Sequence, residues 1–480
     1  MESSSSPVKF DVNRIAIVGA GPIGLSVATY LQAQKAFEEI AIYERQYEVG
    51  GIWDYSPRPS ETLNVPQESP FVPPEPPIRP EKTPPVFPTP VYDELNTNVT
   101  RDLIQFSAQK FREDLTIFPS RQDIEEYLIS YADKFRHLIK FSTQVKGIRL
   151  RRAGGKDQWD VETSSTVTGE STTKTFDAVV VASGHFSTPY IPGVRNIANF
   201  HQTYPDAIIH SKLFRNSKPF DDKKVIVVGN SASGLDIGKQ ICRVSKQPLL
   251  LSVRTPTSPE NLELIEAEEV PEIEEFLIEE KGVRFKNGRV EKDVDAIVYA
   301  TGYLYSLPFL DSFTPPLLTD GHRVYGLYKD LFHIEHPTLV FAGLPIRAHP
   351  WGTSETQAAL VSRIWANQLH LPSVDQMNRW AEQEEEKRGP KYHAWPPGAD
   401  AEFINSTHDW IVSSDTAGKI PPRWSDYILW QNSILQEARR KFELQGRTAK
   451  SLEELGYFYD PSDINVEGLD RLQIFLNITM

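Results

Sequence analysis

The chain has 480 residues, 39% of them hydrophobic, enough for two or three cores rather than one. Its formal net charge of −14 argues against nucleic acid or an anionic membrane as the main partner, while leaving room for a local basic pocket. The single cysteine, Cys242, excludes an intrachain disulfide, a C-x-x-C redox pair and a cysteine-built metal site, and it reads as a small buried residue on a helix.

Residues 1–12 are Ser-rich and lack the apolar stretch of a signal peptide. No run reaches the ~18 apolar residues that would span a bilayer. The sequons at Asn98, Asn405 and Asn477 are then chance matches, and a cytoplasmic protein without a membrane anchor is expected. Residues 14–18 (RIAIV) read as a buried strand, 25–36 as a helix and 39–43 (EIAIY) as a second strand. This β-turn-α-β order opens a doubly wound parallel sheet.

Residues 56–90 turn sharply to proline and can be neither helix nor central strand. They are either a polyproline ligand or an insertion packed on the surface, and Phe71, Val72, Val86 and Phe87 favour packing as anchors. Ser120, with an acid three residues on, caps a helix over 120–135. Residues 141–164 alternate as a small antiparallel meander, and 176–183 form another buried strand. A second β-turn-α-β unit begins at 223–228 (KKVIVV), with 248–253 as its second strand. The acidic stretch 260–280 reads as a solvated, partly helical face, Asn287-Gly288 as a hairpin turn and 295–300 as a strand. Beyond Trp365 the chain looks largely helical.

Each unit carries a phosphate cradle. In the first, Gly19, Gly21 and Gly24 keep the G-x-G-x-x-G spacing: a tight turn, a close backbone approach to pyrophosphate, and tight helix–sheet packing. The helix N-terminus faces the anion. Glu44, at the end of the second strand, suits ribose hydroxyls. In the second, Gly229, Ser231 and Gly234 hold the same positions, with serine for the middle glycine. Its second strand ends in Ser252 and Arg254 rather than an acid; a guanidinium binds a 2′-phosphate that a carboxylate would repel, so NADP(H) is favoured over NAD(H). Two different nucleotides in one polypeptide point to a flavin–nicotinamide oxidoreductase.

Several segments resemble the flavin-containing monooxygenases, and the Pro-rich insertion with the expected lack of a C-terminal membrane anchor looks more like fungal or yeast members. ERQYEVGGIW, from Glu44, is similar to the family's glutamate and Gly-Gly-x-Trp, which lie along FAD, and so implies Gly51 and Trp53 as contacts. ASGHFSTPYIP, from Ala182, resembles the link between the nucleotide domains, and DAIVYATGY, ending at Tyr303, the Ala-Thr-Gly-Tyr signature. TNVTRDLIQF, from Thr97, resembles the segment whose asparagine points at the flavin edge, here Asn98. GTSETQAALV, from Gly352, resembles the helix start that approaches the isoalloxazine ring, with Gln357 as the expected contact. The fingerprint Phe-x-Gly-x-x-x-His-x-x-x-Phe/Tyr is matched by YPDAIIHSKLF, where His210 and Phe214 fit but Tyr204 and Asp206 depart from it.

The resemblance, which spans roughly 14–365, agrees with an α/β protein of two Rossmann-like domains, and the residues beyond it add a helical C-terminal extension. FAD would occupy 1–215 and 301–366, NADPH 216–300, and the extension would run from 367 to 480. It implies an enzyme using FAD, NADPH and dioxygen to oxygenate a soft nitrogen or sulfur nucleophile of a small molecule through a C4a-hydroperoxyflavin. Asn98 would be the catalytic contact, with no metal. His333 and His336 lack a third ligand nearby and read as structural, as His210 does alongside its catalytic alternative. A Baeyer–Villiger enzyme acting on a ketone is the first alternative, against which Phe214 stands where such enzymes usually carry tryptophan. A catalytically silent flavin-binding regulator is the second, and a disulfide reductase lacks its C-x-x-C. The oligomeric state stays open, a homodimer being the commonest assembly.

Overall fold

The computed structural model describes residues 9–461, apart from Lys82. The expectations on residues 1–8, on the Asn477 sequon and on the extension beyond 461 lie outside the described residues. β1 (Arg14–Val18), α1 (Pro22–Gln34) and β2 (Glu39–Tyr43) make the first unit. The helix starts earlier than its apolar spacing predicts, because proline at the first helical position gives up an N–H that has no intrahelical partner anyway. It stops where Lys35 turns left-handed, at φ 56°.

The first sheet has seven strands in the order Leu327–Tyr328, Phe332–His333, Leu339–Phe341, Ala178–Val181, β1, β2, Ile139–Lys140. From Leu339–Phe341 to Ile139–Lys140 all pairings are parallel. Ala178–Val181 is buried at every position, as a strand covered on both faces must be. β3 (Val225–Val228), α2 (Ala232–Cys242) and β4 (Leu250–Val253) build the second unit, and Cys242 is buried at the end of its helix. That sheet is parallel throughout, in the order Glu268–Pro271, β4, β3, Ala296–Tyr299, Ile208–His210. The two crossings between the sheets lie side by side, since Thr188–Pro189 pairs antiparallel with Tyr303–Leu304.

The meander is three antiparallel strands, Thr143–Ala153, Lys156–Ser165 and Ser171–Phe176. Ser120 and Asp123 form a reciprocal capping box on the helix Arg121–Ala132. Asn287-Gly288 turns the hairpin between Gly282–Phe285 and Val290–Glu291, with Gly288 at φ +84°. The acidic stretch departs from expectation. Only Pro259–Ile265 is helical; Glu268–Pro271 and Ile273–Leu277 are strands. Its charges are paired across the sheet edge, Glu268 with Arg289, Glu272 with Lys286 and Glu275 with Arg195 and Arg284.

The Pro-rich segment packs, as its apolar residues suggest, but mostly through polar staples. Phe87 is buried under the Arg45 guanidinium, 4.6 Å from its ring centroid, and exchanges backbone bonds with the Gln46 amide. Phe71, expected as an anchor, is instead 63% exposed. Buried Arg215 donates from Nε to the Ser56 carbonyl (2.8 Å) and from Nη2 to that of Thr89 (2.9 Å), clasping both ends of the segment. Lys212 pairs with Glu75 at 2.6 Å. Arg215→Met leaves these carbonyls without donors, so the segment should open far more often. Limited proteolysis should then cut it about tenfold faster than in the parent, with the sheets intact.

The C-terminal region is helical, with Val374–Arg388, Ala399–Ser413, Asp426–Ser433 and Leu435–Leu444. Among the described residues no helix is long and apolar enough to cross a membrane.

Candidate active site

The two strand–helix junctions are built alike at their first and third glycines. The Gly19 N–H donates to the Tyr43 carbonyl at 2.8 Å, and the Gly229 N–H to that of Ser252 at 2.9 Å. Gly19 (φ +105°) and Gly229 (φ +108°) each sit where an added Cβ would lie 2.7 Å from a carbonyl oxygen, of Ala182 and Ala300 respectively. A Cβ on Gly24 would lie 1.9 Å from the Gly19 oxygen, and one on Gly234 1.9 Å from the Gly229 oxygen. These are the contacts that let a helix N-terminus press against the strand and face an anion.

The middle position is less constrained. A Cβ on Gly21 would only touch the Gly51 Cα, at 3.4 Å, whereas Gly51, itself at φ +60°, would bring its own Cβ to 3.0 Å from the Gly21 Cα, so the steric demand of this turn falls on Gly51. Ser231 is exposed at the cap of α2, where a side chain has room.

Glu44 is buried, and its carboxylate accepts the N–H of Ala20 (2.7 Å) and of Gln46 (2.9 Å). Burial raises its pKa, against the pull of those two bonds and of Arg45. Each oxygen keeps a lone pair for a ribose hydroxyl. Trp53 closes the short turn Gly51–Trp53, half-buried on the first core. Gln357 lies on α3 (Pro350–Trp365), fully buried; its Oε1 accepts the Gly343 N–H at 2.9 Å and its Nε2 has no partner. Gly343, at φ +75°, packs against Ile23 beside the cradle, so Gln357 joins the first group. Asn98 is exposed, on a segment held by its neighbours: Thr97 donates to the Pro119 carbonyl and Thr100 to Gln431.

At the second cradle Arg254 is exposed at the end of β4, and the Asn230 amide fastens the following loop by donating to the Thr255 carbonyl and the Thr257 hydroxyl, both at 2.9 Å. Ser252 sits differently from Arg254. It is buried, and its hydroxyl donates to the Pro271 carbonyl at 2.9 Å, within the sheet.

His210 is fully buried between the two crossings. The Lys212 N–H donates to its Nδ1, so Nε2 carries the proton it gives to the Gly302 carbonyl at 3.0 Å. Burial lowers its pKa to about 3, and a neutral imidazole with both nitrogens bonded is a structural brace. His336 bonds Asp157 at 2.7 Å, and its backbone N–H donates to the His333 Nδ1.

Three residues within or beside the motifs were not singled out by sequence. Asp54, next to Trp53, is buried with an unpartnered Oδ2; burial, aided by Glu125, Glu44 and Glu48, raises its pKa to about 8. His185, in the inter-domain link, has a buried Nδ1 without a partner, and burial lowers its pKa to about 4. Asn230 occupies the variable position of its cradle.

Residues 87–258 and 268–411 match the pattern of the family described as flavin-binding monooxygenase-like, and 17–67 match an NAD(P)-binding Rossmann-like domain. The chain belongs to the flavin-binding monooxygenase family. It is similar to the thiol-specific monooxygenase of Saccharomyces cerevisiae, with 30% identity over 443 residues, covering 88% of this chain and 90% of that one. It is 30% identical to flavin-containing monooxygenase FMO GS-OX1 of Arabidopsis thaliana over 76% of each chain. Among solved structures, S-allyl-L-cysteine S-oxygenase from Allium sativum shares its fold, with a TM-score of 0.73 over 98% of this chain and all of that one, at 22% identity. This monooxygenase uses FAD and NADPH. Its first cradle fits FAD, through Gly19 and Gly24, which admit no Cβ, and a buried amide nitrogen in want of an acceptor; its second, with an exposed arginine, fits NADPH.

Proposed function

We propose that this monooxygenase transfers one atom of dioxygen to the sulfur of a small molecule. The observation that carries the reading is the matched pair of cradles, one ending in a carboxylate and the other in an arginine. The relatives named for thiol and S-oxygenation supply the sulfur. FAD lies along Gly19, Gly21, Gly24, Glu44, Gly51, Trp53 and Gln357, within 1–215 and 301–366, and NADPH along Gly229, Ser231, Gly234 and Arg254, within 216–300. Ser252 contributes its backbone to that cradle. When bound, FAD passes the electrons of NADPH to dioxygen.

The protein's part is to position and to exclude water. Glu44 would take ribose hydroxyls of FAD, Gln357 Nε2 would donate to the flavin, and Asn98 would offer its amide to it. Asn98→Leu should cut oxygenated product about tenfold or more while FAD stays bound, read as product formed per NADPH oxidised. Arg254→Met should raise KM for NADPH roughly 10- to 100-fold and leave NADH turnover unchanged, as expected for one lost charge-assisted contact to phosphate. Phe214, buried edge-on to Tyr92 at 5.3 Å, stands where ketone-oxidising relatives usually carry tryptophan.

The reading is tested by reducing the holoenzyme anaerobically with NADPH and then admitting oxygen with 2-(methylthio)ethanol. Bleaching followed by sulfoxide is expected. Bleaching with hydrogen peroxide as the only product would contradict it.

A further inference from the structure

Three side chains along α3 and its cap carry buried polar atoms without partners: His349 Nε2, Thr353 Oγ1 and Gln357 Nε2. They are four residues apart, so they form one column on the helix, each step rising about 6 Å. The adjoining faces are taken up by α1, through Ser26 with Ser354 at 2.9 Å and Tyr30 with Glu355 at 3.2 Å. The lower end of the column is Gln357, tied to Gly343 beside the first cradle. The upper end, His349, meets Trp424 edge-on at 5.0 Å. Trp424 shares a cluster with Leu103, Ile404 and Val99, the residue after Asn98. The column therefore runs between the two elements that carry the expected flavin contacts.

His349 is held in one tautomer. Asp400, on the helix Ala399–Ser413, is 4% exposed, and its Oδ2 lies 2.6 Å from Nδ1. That oxygen also accepts the His349 N–H at 3.0 Å, while Oδ1 accepts the Ala401 N–H at 2.9 Å. Burial disfavours the charge on Asp400, yet the hydrogen bonds it accepts from His349 and Ala401 help keep its pKa below the usual value. An ionised carboxylate only accepts, so Nδ1 bears a hydrogen, and in the neutral imidazole Nε2 then keeps a lone pair.

We infer that this column is the polar wall of the substrate path and that His349 Nε2 takes the proton of a thiol substrate. The inference rests on the sulfur reading above. The S–H bond breaks, its electron pair stays on sulfur as the nucleophile, and the proton bonds to Nε2, where Asp400 stabilises the imidazolium. Asp400 is a positioning residue.

The test pairs 2-mercaptoethanol, which must lose a proton, with 2-(methylthio)ethanol, which has none on sulfur. In His349→Gln, kcat/KM for the thiol should fall about 50-fold more than that for the thioether. Asp400→Asn should show the same selectivity with a smaller loss, about tenfold. The 15N-histidine spectrum of the oxidised holoenzyme gives a readout apart from turnover. The Nε2 signal missing from His349→Gln should move from neutral to imidazolium on adding the thiol, and stay put with the thioether. Equal losses on both substrates, or no movement of that signal, would overturn the inference. If the parent enzyme oxygenates neither compound the sulfur reading falls, and the histidine signal still decides whether His349 accepts a thiol proton.

Discussion

Gly234→Ala should yield a yellow protein that NADPH no longer reduces, and Gly24→Ala a colourless one. In both cradles the new Cβ would come within 1.9 Å of the carbonyl oxygen of the first glycine, at Gly229 and Gly19 respectively. Neither partner is a side chain that could swing aside. The helix must retreat from its strand, and the backbone N–H groups that face the pyrophosphate move with it. Affinity for the corresponding nucleotide should drop about 100-fold or more, because a loss near 3 kcal/mol is a factor of that size. Flavin absorbance of the purified protein and anaerobic titration with NADPH read the two effects separately. Each substitution should spare the other nucleotide, since the cradles lie in different sheets.

The second large effect concerns the C-terminal helix Leu435–Leu444. Glu443, its side chain 6% exposed, bonds Arg447 at 2.8 Å, Arg439 at 2.6 Å and, from α2, Lys239 at 3.0 Å. Arg447 reaches on to Asp236 of α2 at 2.8 Å, and Tyr92 donates to the same aspartate. Glu443→Ala leaves three cations facing a buried gap. Removing one partner of such a cluster costs about 3–5 kcal/mol, which should appear as a lowered urea midpoint at pH 7. The effect has a sign in pH. Burial opposes the charge on Glu443, but Arg439, Arg447 and Lys239 prevail and hold its pKa below the ordinary carboxylate value. Its contribution is therefore full above the unfolded-state pKa and fades as pH falls through the lower folded value. The gap in stability between parent and variant should close in acid.

Sequence legibility followed the range of the interaction. The cradles were legible because strand, glycines and helix are consecutive, and glycine spacing states a steric requirement that the backbone then meets at 1.9 and 2.7 Å. The meander, the capping box at Ser120 and the turn at Gly288 are equally local. What failed or stayed hidden depends on partners remote in sequence. The acidic stretch looks solvated until Arg195, Arg284, Lys286 and Arg289 are seen across from it. Phe71 looks like an anchor, but the Pro-rich segment is held by Arg215, 159 residues from the Ser56 carbonyl it binds. His349 and Asp400 lie 51 residues apart, the first just before the GTSETQAALV motif and the second beyond Trp365, where the chain carries no readable motif, and only packing on α3 brings them together. Ser252 follows the same logic: its position by the arginine suggests a phosphate donor, whereas the neighbouring strand takes its hydroxyl.

The central claim, oxygen transfer to sulfur, is tested most directly by isotope. Holoenzyme, NADPH and 2-(methylthio)ethanol are incubated under 18O2 and the product is weighed by mass spectrometry. The account predicts a sulfoxide carrying one 18O atom, formed one for one with NADPH consumed. Sulfoxide labelled from water, or NADPH consumed under 18O2 with no labelled sulfoxide at all, would contradict it.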